Sequence, residues 1–187
     1  MRNLAPLAPG LLALLLLALP MAAPASARPM EGAEARKMQT AVDVYLRSIG
    51  RGEAERVVAA VPPRIKNIFA GSAGIEAGKL DGVLIEQTEA LLDSAKFGDF
   101  AADYSNIDAT DSVLADGSRV TWTVVPTQFS VQTDSGKVLN RQPMLVLNEG
   151  GKWYMMRIEG AQQQELVSIA YPFLKGVSFP AASASPM

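Results

Sequence analysis

The feature that most constrains the fold is a change of pattern near residue 100. Before it, apolar residues recur at spacings of three and four, which is typical of helices that pack by one face. From residue 100 to residue 159, β-rich segments alternate with Asp-Gly and Gly-Gly turns, which indicate antiparallel hairpins. The chain therefore predicts helices followed by an antiparallel meander, an α+β fold.

The helical half has clear starts and stops. In the first helix Met38, Val42 and Tyr45 share one face. Pro62 and Pro63 end the second helix, because a residue before proline disfavours the helical backbone. The predicted helices are 31–49, 53–61, one or two turns over 64–70, and 80–96.

The second half predicts strands, a last short helix and a tail. Pro126 lies inside the longest strand segment, where it predicts a bulge or an edge position. The chain turns over 134–136, a helix follows at 162–170, and apolar residues after it return to the body. We expect the small residues of 181–187 to be a disordered tail. The predicted strands are 104–114, 119–125 continued by 129–133, 138–148 and 152–159.

Residues 1–27 have the three parts of an export signal. A basic start at Arg2 precedes an apolar core of Leu and Ala over 11–19, and small residues lead to Ala27. The core is too short for a membrane span, which needs about 20 apolar residues. We expect cleavage between Ala27 and Arg28, which leaves one domain over 28–180 in a periplasmic or secreted protein with no membrane span.

The composition restricts the chemistry available to this chain. It contains neither Cys nor His, so thiol nucleophiles, imidazole bases and the Ser-His-Asp triad are excluded. Without Arg2, 16 of the 17 basic residues remain against 19 acidic ones, which disfavours nucleic acid as a partner. The spacing of Asp99, Asp103, Asp108 and Asp111 does not fit a calcium-binding loop. We therefore expect no metal and no cofactor, and the missing residue types disfavour a hydrolase.

Helices followed by a meander that ends in the Gly-Lys-Trp-Tyr segment 151–154 resemble the nuclear-transport-factor-2-like superfamily. The first helix, its Gly-rich break and the short Glu-Ala-Glu helix are also similar, so the resemblance covers about residues 34–160. It implies N-terminal helices packed on a curved antiparallel sheet, cone-like, with an interior pocket. Its enzymes commonly use Asp or His in the cone, and this chain has no His.

Three residues are candidates for a ligand site. Arg157 shares a strand face with Trp153 and is either a pocket cation or a rim arginine paired with Glu159. Trp122 either lines the cavity or packs in the core. The hydroxyl of Tyr45 either faces the cone or is packed away.

These observations favour a non-catalytic envelope protein with an apolar pocket for a small ligand or a partner protein. Two alternatives remain open. One is a cavity enzyme of isomerase or lyase type with an Asp or Glu base and a Tyr, for which a carboxyl group with a raised pKa is expected. The other is a carrier of lipid or another apolar molecule, for which a pocket with almost no polar lining is expected.

Overall fold

The computed structural model describes residues 27–134 and 136–187, so most of the predicted export signal, residues 1–26, lies outside the described residues. Within them the protein is α+β, with five α-helices and one curved, open sheet of seven antiparallel strands. The helices are α1 (Gly32–Gly50), α2 (Ala54–Ala59), α3 (Pro63–Ala73), α4 (Ala77–Asp93) and α5 (Ala161–Ala170). The strands are β1 (Ala27–Pro29), β2 (Lys96–Ala102), β3 (Asp108–Val113), β4 (Arg119–Thr133), β5 (Gly136–Glu149), β6 (Lys152–Arg157) and β7 (Ser183–Pro186). No helix in this part of the chain is both long and apolar enough to cross a bilayer.

The predicted α+β class is confirmed, and some boundaries differ. The helix predicted over 80–96 is α4, which ends at Asp93, because Lys96 already pairs with β4 as the first residue of β2. The strand predicted over 104–114 begins only at Asp108, because residues 103–107 form the connection between β2 and β3. The predicted return of the last segment to the body is confirmed, since Tyr171, Leu174 and Phe179 are buried.

The sheet is built on one long hairpin. β4 and β5 pair without a break from Val120–Glu149 to Thr133–Gly136. Each of these strands has two shorter neighbours on its outer edge. β3 and then β2 pair with β4, while β6 and β7 pair with β5, and β1 extends the sheet beyond β3.

Two prolines mark the place where these outer neighbours change. Pro126 and Pro143 are directly opposite each other in the hairpin. The Pro126 carbonyl accepts a hydrogen bond from the Asp103 N–H at 2.9 Å, and the Pro143 carbonyl accepts one from the Ile158 N–H at 3.1 Å. Because the N–H and C=O of a strand residue point to the same edge, each missing N–H faces outward and β4–β5 pairing loses no bond. The bulge predicted at Pro126 is therefore absent from β4, whose register with β5 is continuous there.

Other parts of the chain pack on both faces of the sheet. Met144, Leu145, Val146 and Leu147 of β5 are all fully buried, as expected for a strand with apolar neighbours on both sides. One face packs on α1, and the core there includes Met38, Val42, Tyr45, Leu46, Val125, Met144, Val146 and Met155. The other packs on α3, α5 and the chain after it, and its core includes Ile65, Val120, Leu145, Leu147, Val167, Tyr171 and Leu174.

The chain passes from one face to the other around the edge of β6. The Met155 N–H donates to the Ala60 carbonyl at 2.8 Å, and Lys152 Nζ donates to the Ala59 carbonyl at 3.2 Å. These bonds hold the end of α2 against the sheet edge and place α3 on the opposite side from α1. The N-terminal helices therefore pack on two faces of the sheet.

The prediction of a disordered tail over 181–187 is wrong for most of that segment. Ser183–Pro186 form β7, which pairs with 138–141 of β5, and the Met187 N–H donates to the Lys137 carbonyl at 2.9 Å. The free edge of β5 offers backbone donors and acceptors to any extended chain. Small side chains therefore gave no sign of this strand, because its contacts are made by the backbone.

Shortening a buried side chain of the β4–β5 hairpin should strongly lower the stability of the protein. We expect Leu145→Ala to lower the free energy of unfolding by about 2–5 kcal/mol, because it leaves a cavity between β5 and the second core. Val113→Ala, at a side chain that is 64% exposed, should change it by less than about 0.5 kcal/mol. Urea unfolding followed by circular dichroism measures both, and equal losses would contradict the assigned burial.

Candidate ligand-binding groove

The structure brings together two of the three residues singled out from the sequence. Tyr45 and Arg157 lie on the α1 side of the sheet, close enough for the Arg157 charge to act on the Tyr45 hydroxyl. Trp122 lies on the opposite side, with the second core. No single cavity can therefore be lined by all three side chains.

Arg157 and Tyr45 are parts of the packed interface with α1. The Arg157 guanidinium lies 5.9 Å from the centre of the Phe129 ring, and its Nη1 is 3.7 Å from Glu159 Oε1. This matches the rim arginine considered above. Burial raises the pKa of the Tyr45 hydroxyl, an effect that the nearby Arg157 charge opposes.

Trp122 is held in the second core by two contacts. Its indole Nε1 donates to Ser112 Oγ at 3.1 Å, and its ring stacks on Phe173 with a centroid distance of 6.2 Å. The polar and apolar parts of the side chain are thus both satisfied inside the protein. This is the packing alternative rather than the cavity alternative.

The space between the second half of α1 and the centre of the sheet is nearly filled. The cavity there has a volume of about 10 Å³ and lies among Leu46, Ile49, Phe100, Phe129, Met144 and Arg157. Such a volume is close to that needed by one water, and small-molecule sites have about 300–1,000 Å³. The interior pocket expected from the resemblance is therefore too small for a ligand.

An open groove of about 430 Å³ lies in the middle of the sheet, on the face opposite α1. It exists because α3, α5 and the chain after α5 cover the end of this face near Val120 and Leu147 and leave the middle bare. The end of β2 forms one wall, and Pro180 and Ala181 form the other. We call this surface the central groove.

The floor of the central groove is apolar and its border is polar. Val124, Pro126 and Pro143 lie on the same face, because alternate residues of a strand share a face and directly paired residues lie side by side. Two residues further along, Gln128 and Arg141 form the next cross-strand pair. The groove therefore offers an apolar floor with a cation and an amide at one end.

Asp103 provides the opposite charge at the other end. Its Oδ1 accepts hydrogen bonds from Ser105 Oγ at 2.6 Å and from the Ser105 N–H at 2.9 Å. These bonds lower the pKa of the Asp103 carboxyl below its ordinary value, so the group is ionised at neutral pH. The guanidinium of Arg141 has no hydrogen bond or ion pair with any other described residue.

The groove residues limit the chemistry that this site can perform. Asp103 is the acidic residue of its lining, and hydroxyl groups are represented by Thr127, whose Oγ1 donates to the Gln142 carbonyl at 3.0 Å. Within residues 27–134 and 136–187, no group of three or more acidic side chains could hold a metal ion. The arrangement suits binding through apolar contact and charge.

Arg141, Gln128 and Asp103 were not among the candidates from the sequence. The signal was available for two of them, because a two-residue connection between β4 and β5 places Gln128 opposite Arg141. Nothing in the sequence showed that this part of the face stays uncovered. Comparison with models of protein families, with curated proteins and with solved structures finds no match to this chain. The function is therefore inferred from the geometry of the site itself.

The charge of Asp103 is testable by titration. We expect its carboxyl group to titrate below about 3.9, the value for an unperturbed Asp, and Ser105→Ala to raise the midpoint towards that value. Because the folded pKa is the lower one, these bonds stabilise the fold above pH 4 and lose their effect as the pH falls through the folded pKa. Carboxyl carbon NMR shifts measure the midpoint, and an unchanged midpoint in Ser105→Ala would contradict the assigned cause.

The buried amide of Gln142 gives a test of the packing next to the groove, on the face of the sheet towards α1. Its Nε2 is buried and has no hydrogen-bond partner in the described part of the chain. A buried donor without a partner costs about 1–3 kcal/mol, so Gln142→Leu should raise the free energy of unfolding by about 1 kcal/mol. Gln142→Glu, which buries a charge there, should lower it. If Gln142→Leu is clearly less stable in urea unfolding, the amide has a partner after all.

Proposed function

We propose that this chain is an exported, non-catalytic binding protein of the cell envelope, and that its ligand site is the central groove. The observation that carries the proposal is that this groove is concave and largely apolar. Its volume of about 430 Å³ is within the range of small-molecule sites. Export is supported by the order of charge, apolar core and small residues in 1–27.

The proposal keeps the cone-like curvature implied by the nuclear-transport-factor-2-like resemblance, and moves the ligand. Support for the curvature comes from the curved open sheet and its long central hairpin. The ligand is placed on the face opposite α1, because the cavity between α1 and the centre of the sheet measures about 10 Å³.

An isomerase or lyase in this groove would need a carboxylate that takes up a proton near neutral pH. Asp103 is the acid that lines the groove, and its hydrogen bonds with Ser105 lower its pKa instead. A carboxyl group with a lowered pKa is a weak base. The groove therefore supports binding better than proton abstraction.

The volume and the apolar floor also fit a carrier of apolar molecules, which is the second candidate function. The polar ends separate the two. A carrier for a molecule without polar groups gains nothing from Arg141 and Asp103, whereas a receptor for a polar-ended ligand uses both. Tests of the groove therefore need neutral and charged probes.

A dye-binding experiment tests the groove. We expect the neutral apolar dye Nile red to bind the mature protein and Ala101→Trp to weaken that binding at least tenfold, because the indole fills the groove from β2. The matched control is Val113→Trp, at an exposed strand position outside the groove lining. Fluorescence titration and thermal melting of all three proteins separate lost binding from lost folding. Equal affinity in Ala101→Trp would place the dye elsewhere and contradict the groove.

Protein from its own envelope gives an independent check of location and ligand. Intact mass spectrometry should show a chain that begins at Arg28, and native mass spectrometry should show an added mass that Ala101→Trp lacks. A retained residue 1, or no added mass in the unmodified protein together with no dye binding, would overturn the corresponding part of the proposal.

A further inference from the structure

We infer that the ligand of the central groove is a zwitterion with an apolar middle, of the size of a di- or tripeptide. Its anionic group lies at Arg141, its apolar part on the floor formed by Pro126 and Pro143, and its cationic group at Asp103. The inference rests on the proposed binding function and adds the chemical class of the ligand.

The strand register fixes the positions of the two charges. Ala101 pairs with Gln128, and Gln128 pairs with Arg141, which makes one row across three strands. The Asp103 N–H bonds the Pro126 carbonyl, so Asp103 lies in the neighbouring row with Pro126 and Pro143. Two strand spacings and one two-residue step separate the Cα atoms of Asp103 and Arg141 by about 12 Å.

Both charged groups are free to bind a ligand. Asp103 Oδ1 accepts both bonds from Ser105, and Oδ2 has no hydrogen-bond partner among the described residues. The guanidinium of Arg141 likewise has none. Other charges of this sheet are paired with each other, as in the pairs of Arg28 with Asp111 and of Lys137 with Asp99. Asp103 and Arg141 face one groove from opposite corners, too far apart to neutralise each other.

The floor between these charges selects an apolar middle. Proline has no N–H, and the carbonyls of Pro126 and Pro143 are already bonded to Asp103 and Ile158. A polar group placed there would lose its water without gaining a partner. The ligand's anionic group is placed at Arg141. The Arg141 guanidinium can bind a carboxylate through two parallel bonds, and the Gln128 amide lies beside it.

The size of the ligand follows from the spacing and the volume. An extended peptide spans about 3.3–3.6 Å per residue, so three residues cover about 10 Å between a free amine and a free carboxylate. Arg141 and Asp103 both line the groove, and the length of the Arg141 side chain reduces the distance to be spanned, so a two-residue ligand also fits between the charged groups. The volume of about 430 Å³ accommodates apolar side chains on such a backbone.

Competition against bound Nile red tests the inference with defined probes. The probes are Leu-Leu-Leu with free ends, its N-acetylated form, its C-amidated form, and the form blocked at both ends. We expect the free peptide to compete best, each single block to weaken it about tenfold, and the double block to weaken it further, since each block removes one charge-assisted hydrogen bond.

Two variants assign the ends of the ligand. Arg141→Gln should weaken binding of the free peptide about tenfold and leave binding of the C-amidated form unchanged. Asp103→Asn should also weaken binding of the free peptide about tenfold, but it should leave binding of the N-acetylated form unchanged. Arg119→Gln and Asp108→Asn are the matched controls, because both residues are exposed and lie outside the groove lining. Neither control should alter competition.

The outcomes separate this inference from the proposed function. If Nile red binds in the groove and all four peptides compete equally or none competes, the zwitterion is wrong and the groove still binds apolar ligands. If the peptide lacking both charges competes best, the carrier is favoured. If Nile red does not bind, or Ala101→Trp does not weaken it, the proposed function itself fails.

Discussion

The unbroken pairing of β4 with β5 is the interaction on which the rest of the structure depends. Every other strand except β1 pairs directly with one of these two. The continuous register also sets which side chains face α1 and which face α3 and α5, since a shift by one residue would exchange the faces. Two cores are built on the same hairpin, and four consecutive fully buried residues of β5, 144–147, belong alternately to one core and to the other.

The second core is fastened to this hairpin at Glu149. Its Oε1 accepts a bond from Arg64 Nε of α3 at 2.8 Å, and its Oε2 accepts one from the Tyr171 hydroxyl at 2.9 Å. Burial and this bond raise the pKa of Tyr171, which therefore stays protonated as the donor. One carboxylate at the end of β5 thus holds both α3 and the chain after α5. Because the covering elements are gathered at that end, the middle of the face is left open and the central groove results.

Much of the fold could be predicted from the sequence. That Trp122 and Arg157 lie on different faces of the sheet was missed for an identifiable reason. Helical spacing marked α1, and the Gly150-Gly151 turn marked the β5–β6 hairpin. A three-residue turn over 134–136 was expected, whereas Thr133 pairs with Gly136 and leaves two residues between them. With two-residue connections in both hairpins, Trp122 pairs with Leu147 and Leu147 with Tyr154. Because Tyr154 and Arg157 point to different faces of β6, Trp122 and Arg157 lie on different faces of the sheet. The bare part of the face and the pairing of β7 depend on long-range contacts that no local pattern encodes.

Pro126 and Pro143 explain why the central groove lies at the place where the outer neighbours of β4 and β5 change. A residue with an N–H at position 126 or 143 would direct a donor at the interval where one outer strand stops and the next starts, and that donor would need a partner. Proline removes the donor, so the interval between β2 and β3, and that between β6 and β7, can stay short and partly open. The rings that remain form a rigid apolar surface at the centre of this face. The groove is thus a direct consequence of how the hairpin tolerates interrupted neighbours, and its chemistry is set by the first charged side chains beyond that interruption, Asp103 and Arg141.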